Sequence, residues 1–341
     1  MNFEPSTLNF ELSFMTIPQI FDLFNKLRVL IIGDVMLDNY IWGAVERISP
    51  EAPVPVINVK KKSFGLGGAS NVAMNVLALG AQPVLCALVG NDDDGKKLMQ
   101  RLDELGMTKD GIVTSEDRPT TVKTRVIASH QHVVRVDEES DKEANDNEKK
   151  LLWERIEKLL PQCQVVIFED YDKGVLSEKI ITQATALAKK HNIPTVVDPK
   201  KRNFLSYNNV TLFKPNLKEL REGLKIELSA SNQDQVKQAT ALLKERLQAE
   251  GVMVTLSEHG VYIDYQNQKI KLSAHEREIA DVSGAGDTVV SVAALCTALK
   301  LDATMIASLS NLAGGLVCQH VGAVPIDKKE LIKEALKEFP S

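Results

Sequence analysis

The chain has 341 residues and a formal net charge of −5, with 44% hydrophobic and 26% charged residues. This composition is ordinary for a soluble globular protein, and the near balance of 41 basic and 46 acidic residues argues against a nucleic-acid binder. No apolar stretch approaches the roughly 20 residues of a membrane span, and the N-terminus lacks the basic region of a signal peptide. Four cysteines without metal-ligand spacing favour a reducing compartment, so we expect a cytoplasmic protein that binds no nucleic acid and no membrane.

A short amphipathic helix is predicted before the first strand. Ile17, Ile20, Phe21, Phe24 and Leu27 recur at helical spacing, and the preceding threonine can cap them. We therefore expect residues 1–27 to form an N-terminal helical extension.

Strand and helix patterns then alternate along most of the chain. Apolar runs of the length of strands buried in a parallel sheet lie at residues 29–33, 84–89, 165–168, 195–197 and 252–256. Helical patterns lie at residues 69–79, 95–105, 148–160, 178–190, 233–249, 302–320 and 325–339. This alternation predicts an α/β sheet with helices on both faces.

Two segments interrupt the alternation. Residues 40–64 contain three prolines and little helical period, and residues 120–137 contain two β runs joined by a polar turn. Both segments could be strands outside the main sheet. A small β lid over a pocket, a flap that forms a dimer and a pair of surface hairpins all fit the pattern.

The strongest local signal is the segment DVSGAGDT, which begins at Asp281. Gly284 and Gly286 let the backbone turn tightly and point amides toward one spot, and the positive end of the following helix makes that spot an anion site. Asp287 would lie beside it in the first helical turn. An anion site next to a carboxylate base favours phosphoryl transfer to a hydroxyl group; a helix start with a favourable aspartate is the alternative.

A second glycine-rich segment, GLGGASN, opens another predicted helix. Gly67 and Gly68 allow a ligand close to the backbone, and Asn71 can bond to hydroxyl groups, with a flexible turn and capping asparagine as the alternative. Asp34 and Asp38 follow the first strand, at the edge where open α/β sheets bind ligands. Two carboxylates there suit a polyhydroxylated ligand, and solvated loop acids are the alternative.

The segment NLKE follows a strand-like run and begins at Asn216. Asn216 and Glu219 would lie three residues apart on the first turn of a helix and could hold a hydrated Mg²⁺ near nucleotide phosphates. The same spacing fits a helix N-cap with a capping-box glutamate. Other polar or small residues at predicted strand ends are Asp170, Asp198, Thr255, Ser257 and Gly260.

The motifs GGxxN and DxxGAGD, in this order near opposite ends of the chain, resemble the ribokinase (PfkB) family of carbohydrate kinases. The resemblance implies a ribokinase-like three-layer α/β/α sandwich over residues 28–341, with a small β-sheet lid from about residues 40–64 and 120–137. One site needs both motifs, so one large α/β domain plus a lid replaces the two domains that length alone suggests. The family resemblance also implies ATP and Mg²⁺, leaves a monovalent cation open, and implies a homodimer through the lid.

Further segments narrow the resemblance, above all RISPEAPVPV, together with GDVMLDNY, DYDKG and DPK. They resemble the branch of the family that serves ADP-heptose and lipopolysaccharide core synthesis. This implies ATP-dependent phosphorylation of D-glycero-β-D-manno-heptose 7-phosphate at O1, giving the 1,7-bisphosphate. The alternatives are a kinase for another sugar, sugar phosphate or nucleoside, and a sugar-phosphate sensor on a kinase fold. No second nucleotide-binding motif follows, so we expect the kinase step alone.

The resemblance also implies a role for each matching residue. Asp287 would be the catalytic base, and the backbone amides of Gly284, Ala285 and Gly286 would form the anion hole. Substrate contacts would come from Asp34, Asp38, Gly67, Gly68, Asn71, Asp170 and Lys173. Nucleotide contacts would come from Asn216, Leu217, Lys218, Glu219, Thr255, Ser257, Gly260 and Asn311, with Asn216 and Glu219 beside the metal. For the distal phosphate the sequence offers four candidates, namely Arg47, Lys123, Arg125 and Arg135.

Overall fold

The computed structural model of this protein describes residues 15–128, 131–275 and 277–339. Its strands are β1 (Arg28–Gly33), β2 (Val35–Ile48), β3 (Pro55–Gly68), β4 (Gln82–Gly90), β5 (Ile112–Ser115), β6 (Thr121–Ala128), β7 (Gln131–Glu138), β8 (Val165–Glu169), β9 (Thr195–Asp198), β10 (Leu212–Phe213), β11 (Gly251–Thr255), β12 (Val261–Tyr265) and β13 (Gln268–Leu272). Its α-helices are α1 (Ile17–Phe24), α2 (Ala69–Ala78), α3 (Asp93–Glu104), α4 (Asp146–Leu159), α5 (Glu178–Lys190), α6 (Leu217–Leu224), α7 (Gln233–Leu247), α8 (Ala285–Ala298), α9 (Ala303–Val317) and α10 (Lys328–Glu338).

Within the described residues, the main sheet has nine strands in the order β13-β12-β11-β10-β9-β8-β1-β4-β5. Seven neighbouring strands run parallel to one another, namely β5, β4, β1, β8, β9, β10 and β11. Strands β12 and β13 add an antiparallel edge beside β11. All five predicted strands are confirmed, with ends that shift by at most two residues. Long runs of buried apolar side chains explain this agreement, because a strand covered on both faces has no polar positions to obscure it.

Helices cover both faces of the main sheet. Within β1, Val29 and Ile31 belong to one apolar cluster, and Leu30 and Ile32 belong to the other, as the two-residue period of a strand requires. The first cluster contains residues of α1, α2, α3, α8, α9 and α10, and the second contains residues of α4, α5, α6 and α7. The three-layer α/β/α sandwich implied by the family resemblance is thus confirmed.

The predicted N-terminal helix is confirmed in part, because α1 lies within the predicted extension and residues 1–14 fall outside the described residues. Helix α1 packs near α10, where the Lys328 ammonium donates to the Phe21 carbonyl oxygen at 3.1 Å and to Asn25 Oδ1 at 2.9 Å. Across the three described ranges, no helix is both long and apolar enough to cross a membrane.

The two segments that interrupt the alternation form a second sheet with the order β3-β2-β6-β7. Strand β2 pairs antiparallel with β3 and parallel with β6, and β6 pairs antiparallel with β7. The predicted β lid is therefore present, although residues 129 and 130 in its last turn lie outside the described residues. The inner ends of β2 and β3 are buried against the main domain, and their outer halves are exposed.

Candidate active site

The site lies where the carboxyl ends of β1, β8 and β9 meet the start of α8 and the inner ends of the lid strands. Sheet register aligns Gly33, Glu169 and Asp198 across these three strands. A Cβ atom on Gly33 would lie 2.1 Å from the Glu169 carbonyl oxygen, so only glycine allows β1 and β8 to approach this closely. The polar side chains thus converge at the carboxyl ends of the strands, where the sequence predicts that a ligand binds.

Asp287 lies in the first turn of α8, and both of its carboxylate oxygens are held. Asn71 Nδ2 donates to Asp287 Oδ2 at 2.7 Å, and the Tyr171 hydroxyl donates to Asp287 Oδ1 at 2.9 Å. Asp287 is 5% exposed, and burial raises the pKa of its carboxyl group to about 6, against the lowering effect of these two hydrogen bonds. The two glycine motifs thus meet at one carboxylate, as the sequence predicts, while Tyr171 is an additional partner.

The loop before α8 is shaped by its own glycine and by Asp281. Gly284 has a positive backbone φ of 78°, and a Cβ there would lie 2.9 Å from Asn71 Nδ2. Asp281 Oδ1 accepts from the Ser283 amide at 2.9 Å, and Asp281 Oδ2 accepts from the Gly322 amide at 2.9 Å. The Ala285 amide donates to the Val282 carbonyl oxygen at 3.3 Å. Gly284, Ala285 and Gly286 therefore open α8 as predicted.

Three buried carboxyl groups meet beside this loop. Glu169, Asp198 and Asp287 each offer an oxygen atom, and these atoms lie within 4.8 Å of one another. Lys214 Nζ pairs with Asp198 Oδ2 at 2.9 Å, whereas neither carboxyl oxygen of Glu169 has a hydrogen-bond partner among the residues that the structure describes. Burial, with the charges of Asp198 and Asp287, raises the pKa of Glu169 well above its usual range. Burial thus disfavours the charged form of the Glu169 carboxyl group.

Asp34 and Asp170 are buried supports of the loop that follows β8. Asp34 accepts hydrogen bonds from the backbone amides of Tyr171, Lys173 and Val175 at 2.9 to 3.1 Å. Asp170 Oδ2 accepts from the Tyr207 hydroxyl at 2.7 Å. Each aspartate is only 1% exposed. Their oxygens are occupied by the protein itself, which differs from the substrate contacts that the sequence analysis expects of them.

The inner end of the lid brings Asp38, Gly67 and Arg125 together. Arg125 forms an ion pair with Asp38 Oδ1, and its guanidinium lies 5.5 Å from the centroid of the Tyr40 ring. A Cβ on Gly67 would lie 2.5 Å from Asp38 Oδ2, so a side chain at this position would displace the aspartate. Gly68 has a positive φ of 56° and allows the chain to turn into α2. The predicted sugar-binding residues Asp38, Gly67 and Gly68 thus lie together at the inner end of the lid.

Two lysines connect the lid to the active-site loop. Lys173 Nζ lies 2.7 Å from Glu139 Oε1, and Lys123 Nζ lies 3.2 Å from Glu139 Oε2. Of the other candidates for the distal phosphate, Arg135 pairs with Asp137 at 2.9 Å, and Arg125 pairs with Asp38 as described. Arg47 lies on the exposed outer half of β2. Lys123 and Arg125 are therefore the candidates at the inner end of the lid.

The segment NLKE forms the start of α6. Asn216 Oδ1 accepts from the Glu219 amide at 2.8 Å, and Glu219 Oε2 accepts from the Asn216 amide at 2.8 Å. The capping-box alternative is thus confirmed. Glu219 Oε1 accepts from Lys200 Nζ at 2.7 Å, so this carboxylate also faces the site. Leu217 and Lys218 continue the helix, and the Lys218 side chain is 81% exposed.

The remaining predicted nucleotide contacts follow the sheet edge away from Asp287. Thr255 at the end of β11 forms an isolated bridge with Asn216. Ser257 and Gly260 have positive φ values of 53° and 85° in the turn between β11 and β12. Asn311 of α9 donates to the Ser273 carbonyl oxygen at 2.8 Å. Only Thr255 is thus brought directly to the NLKE segment by the backbone.

Lys200, which the sequence analysis does not single out, links the two halves of the site. Its Nζ lies 5.0 Å from the centroid of the Tyr171 ring while it donates to Glu219. Lys200 belongs to the segment DPK, which is significant only through the family resemblance, because a single lysine after a strand forms no recognisable sequence pattern. Single residues at the end of β8, such as Glu169 and Tyr171, likewise form no pattern that predicts a role.

Known proteins with similar sequences include a family of carbohydrate kinases. Residues 26–329 match the family described as pfkB family carbohydrate kinases. Among curated proteins, the chain is 43% identical over 305 residues to the bifunctional protein HldE of Caulobacter vibrioides, covering 89% of this chain and 62% of that protein. It is 40% identical over 304 residues to the bifunctional protein HldE of Wolinella succinogenes, covering 89% and 63%. The chain thus spans less than two thirds of the length of these relatives.

Solved structures share the fold at low sequence identity. Phosphofructokinase-2 from Escherichia coli in complex with fructose-6-phosphate gives a TM-score of 0.73 at 19% identity, covering 90% of this chain and 99% of that chain. Arabidopsis thaliana ribokinase complexed with ribose and ATP gives 0.70 at 18% identity, covering 90% and 99%. These similarities confirm the predicted ribokinase-like α/β fold.

Proposed function

We propose that this chain, which belongs to the pfkB family of carbohydrate kinases, transfers the γ-phosphoryl group of ATP to O1 of D-glycero-β-D-manno-heptose 7-phosphate. The observation that carries the proposal is the 36–43% identity to the HldE proteins over about 90% of the chain. The segment RISPEAPVPV, which closes β2 and opens β3, supports the same sugar. The convergence of Asn71 and Asp287 supports a transfer reaction there.

Asp287 is the proposed base. The proton leaves O1 of the sugar for a carboxylate oxygen of Asp287 while O1 forms its bond to the γ-phosphorus atom and the bond from that atom to ADP breaks. A pKa near 6 leaves Asp287 ionised at pH 7 and yet more basic than an exposed aspartate. Asn71 and Tyr171 donate to its two oxygens and fix its orientation, and each oxygen keeps a second lone pair for the sugar hydroxyl.

The start of α8 is the proposed anion hole. It lies beside the buried cluster, because a Cβ on Gly286 would lie 3.6 Å from Asp198 Oδ2 and 3.9 Å from Lys214 Nζ, and its positive helix end favours an anion there. Negative charge that develops on the transferred group is stabilised there without reorganisation. In the pfkB family this stabilisation accompanies ATP with a divalent metal.

Glu219 is the proposed contact of the magnesium ion that enters with ATP. Its fit rests on an oxygen-donor carboxylate whose Oε1 faces the site while Oε2 stays bound to the Asn216 amide. Magnesium would neutralise phosphate oxygens of the nucleotide. The role of the protein is to hold Glu219 in place through the capping box, which Asn216 completes.

We further propose that the lid pairs two copies of the chain. Its outer surface exposes apolar side chains that include Ile48 at 60%, Val134 at 50% and Val136 at 49%. Exposed apolar groups of this kind mark contact surfaces. Val134→Asp should convert a dimer to a monomer in sedimentation equilibrium, and a wild-type chain that is already monomeric would contradict the proposal.

A substrate panel tests the proposed function. The protein is incubated with ATP, Mg²⁺ and each of several sugars, sugar phosphates and nucleosides, and ADP release is measured. We expect the highest kcat/KM for the heptose 7-phosphate, with phosphate added at O1 by phosphorus NMR. Activity on fructose phosphates but not on the heptose phosphate would overturn the substrate. Ligand-induced stabilisation without ADP from any compound would instead favour a sensor.

A further inference from the structure

Lys200 follows β9 by two residues and stands between the two halves of the proposed site. Its ammonium donates to Glu219 on the nucleotide side and lies over the ring of Tyr171, whose hydroxyl donates to Asp287. We propose that Lys200 is a catalytic residue, whose ammonium binds the γ-phosphoryl group of ATP and stabilises its charge during transfer. The inference rests on the proposed function. It identifies Lys200 as the cation that stabilises the γ-phosphoryl group from the side opposite the backbone amides of α8.

Exposure distinguishes Lys200 from the other lysine near the cluster. The side chain of Lys214 is only 2% exposed, and its ammonium is paired with Asp198 at 2.9 Å. The side chain of Lys200 is 30% exposed, so its ammonium can reach a ligand that enters from solvent. Lys214 therefore balances a charge inside the protein, whereas Lys200 is available to a substrate.

The acidic side chains at this sheet edge would repel a phosphoryl group unless a cation offset their charge. Glu169, Asp198 and Asp287 are buried and lie close together, and a phosphoryl group beside them would meet negative charge where water screens it little. The Lys200 ammonium lies 2.7 Å from Glu219 Oε1 and 5.0 Å from the centroid of the Tyr171 ring, whose hydroxyl bonds to Asp287. From this position its positive charge offsets that repulsion.

The present partner of Lys200 can be exchanged at little cost. Glu219 holds Lys200 through Oε1 and keeps its bond to the Asn216 amide through Oε2. If the ammonium turns to a phosphate oxygen, Glu219 therefore stays in place. One charge-assisted hydrogen bond replaces another of the same type.

Nucleotide affinity tests the proposal without any turnover. Calorimetry with Mg²⁺ gives Kd for ATP and for ADP in the wild type, in Lys200→Met and in Lys201→Met. Lys201 is the matched control, because it is the exposed neighbour in the same loop. We expect the preference for ATP over ADP to fall at least tenfold in Lys200→Met and to be unchanged in Lys201→Met. An equal preference in wild type and Lys200→Met, or an equal fall in both variants, would overturn the proposal.

Steady-state kinetics gives the second readout. Loss of one group that stabilises transition-state charge typically costs about 100- to 1000-fold in kcat. We expect Lys200→Met to show such a loss with KM for the sugar within threefold of wild type, and Lys200→Arg to recover part of it. Wild-type kcat in Lys200→Met would overturn the assignment. If the methionine variant does not fold, Lys200→Gln takes its place in both assays. A wild-type chain that phosphorylates no sugar refutes the proposed function, while the nucleotide affinities still decide the role of Lys200.

Discussion

Removal of the Tyr171 hydroxyl should move the acid limb of the pH–rate profile to higher pH. In the wild type the base must be ionised, so kcat/KM should fall below pH 6, the approximate pKa of Asp287. The Tyr171 hydroxyl donates to Asp287 Oδ1 at 2.9 Å and favours the ionised form. Tyr171→Phe deletes this donor and keeps the ring beneath Lys200.

The size of the effect follows from the hydrogen bond. A bond to a charged group contributes about 1.5 to 3 kcal/mol, and one pKa unit corresponds to about 1.4 kcal/mol. Allowing for partial replacement by water, we expect a rise of about one unit in the pKa of Asp287. Relative to wild type, activity should then fall about fivefold at pH 6 and almost not at all at pH 8.

The assay is kcat/KM for the sugar phosphate between pH 5 and 9, with circular dichroism to verify folding at each pH. Tyr207→Phe is the matched control, because the Tyr207 hydroxyl also donates to an aspartate, Asp170, at 2.7 Å. Its acid limb should stay at the wild-type pH even if its stability falls. A Tyr171→Phe profile that drops equally at all pH values, or that does not move, would refute the reasoning.

Three further predictions concern the base, the buried acid and the lid. Asp287→Asn should lower kcat by about 100-fold or more while Kd for ATP stays near the wild-type value; retention of more than about a tenth of the wild-type rate would show that Asp287 is not the base. Glu169→Gln should unfold at the same temperature as wild type near pH 4 and at a progressively higher temperature as pH rises. This sign follows because the folded pKa of Glu169 is raised, so wild type loses about 1.4 kcal/mol per pH unit between the unfolded and folded pKa values; a constant difference across pH would contradict it. Arg125→Leu leaves Asp38, which is 7% exposed, without its ion-pair partner and should cost about 3 kcal/mol or more in urea unfolding. Arg135→Leu breaks a pair in which the arginine side chain is 57% exposed and should cost less than about 1 kcal/mol; equal losses in both variants would contradict the difference in burial.

The backbone requirements of the site could be predicted from sequence. Gly284 has a positive φ, and Gly67 has no room for a Cβ beside Asp38, and both demands select glycine in a recognisable pattern. A carboxylate such as Asp287 at a helix start is equally visible. Strands outside the main sheet were predictable because prolines and alternating residues interrupt a regular series of strands and helices, whereas the family resemblance favoured a lid over a flap or surface hairpins.

The supporting side chains could not be predicted, because their roles depend on sheet register. Glu169 joins the cluster only since it aligns with Asp198 in the neighbouring strand. Asp34 and Asp170 looked like ligand-facing acids, yet the loop after β8 folds over them and occupies their oxygens. Neither the alignment of neighbouring strands nor the folding of a loop over an acid produces a periodic pattern in the sequence. The sequence alone therefore could not distinguish a solvated acid from a buried one.

The hydrogen bond between Asn71 and Asp287 joins residues that are 216 positions apart. A contact of such long sequence separation requires closure of a long loop, which costs conformational entropy and slows folding. During refolding, the strands that flank β1 can therefore assemble before the base has its partner. Recovery of the far-ultraviolet circular dichroism signal should precede recovery of catalysis, which makes turnover a reporter of the last step in folding rather than of secondary structure.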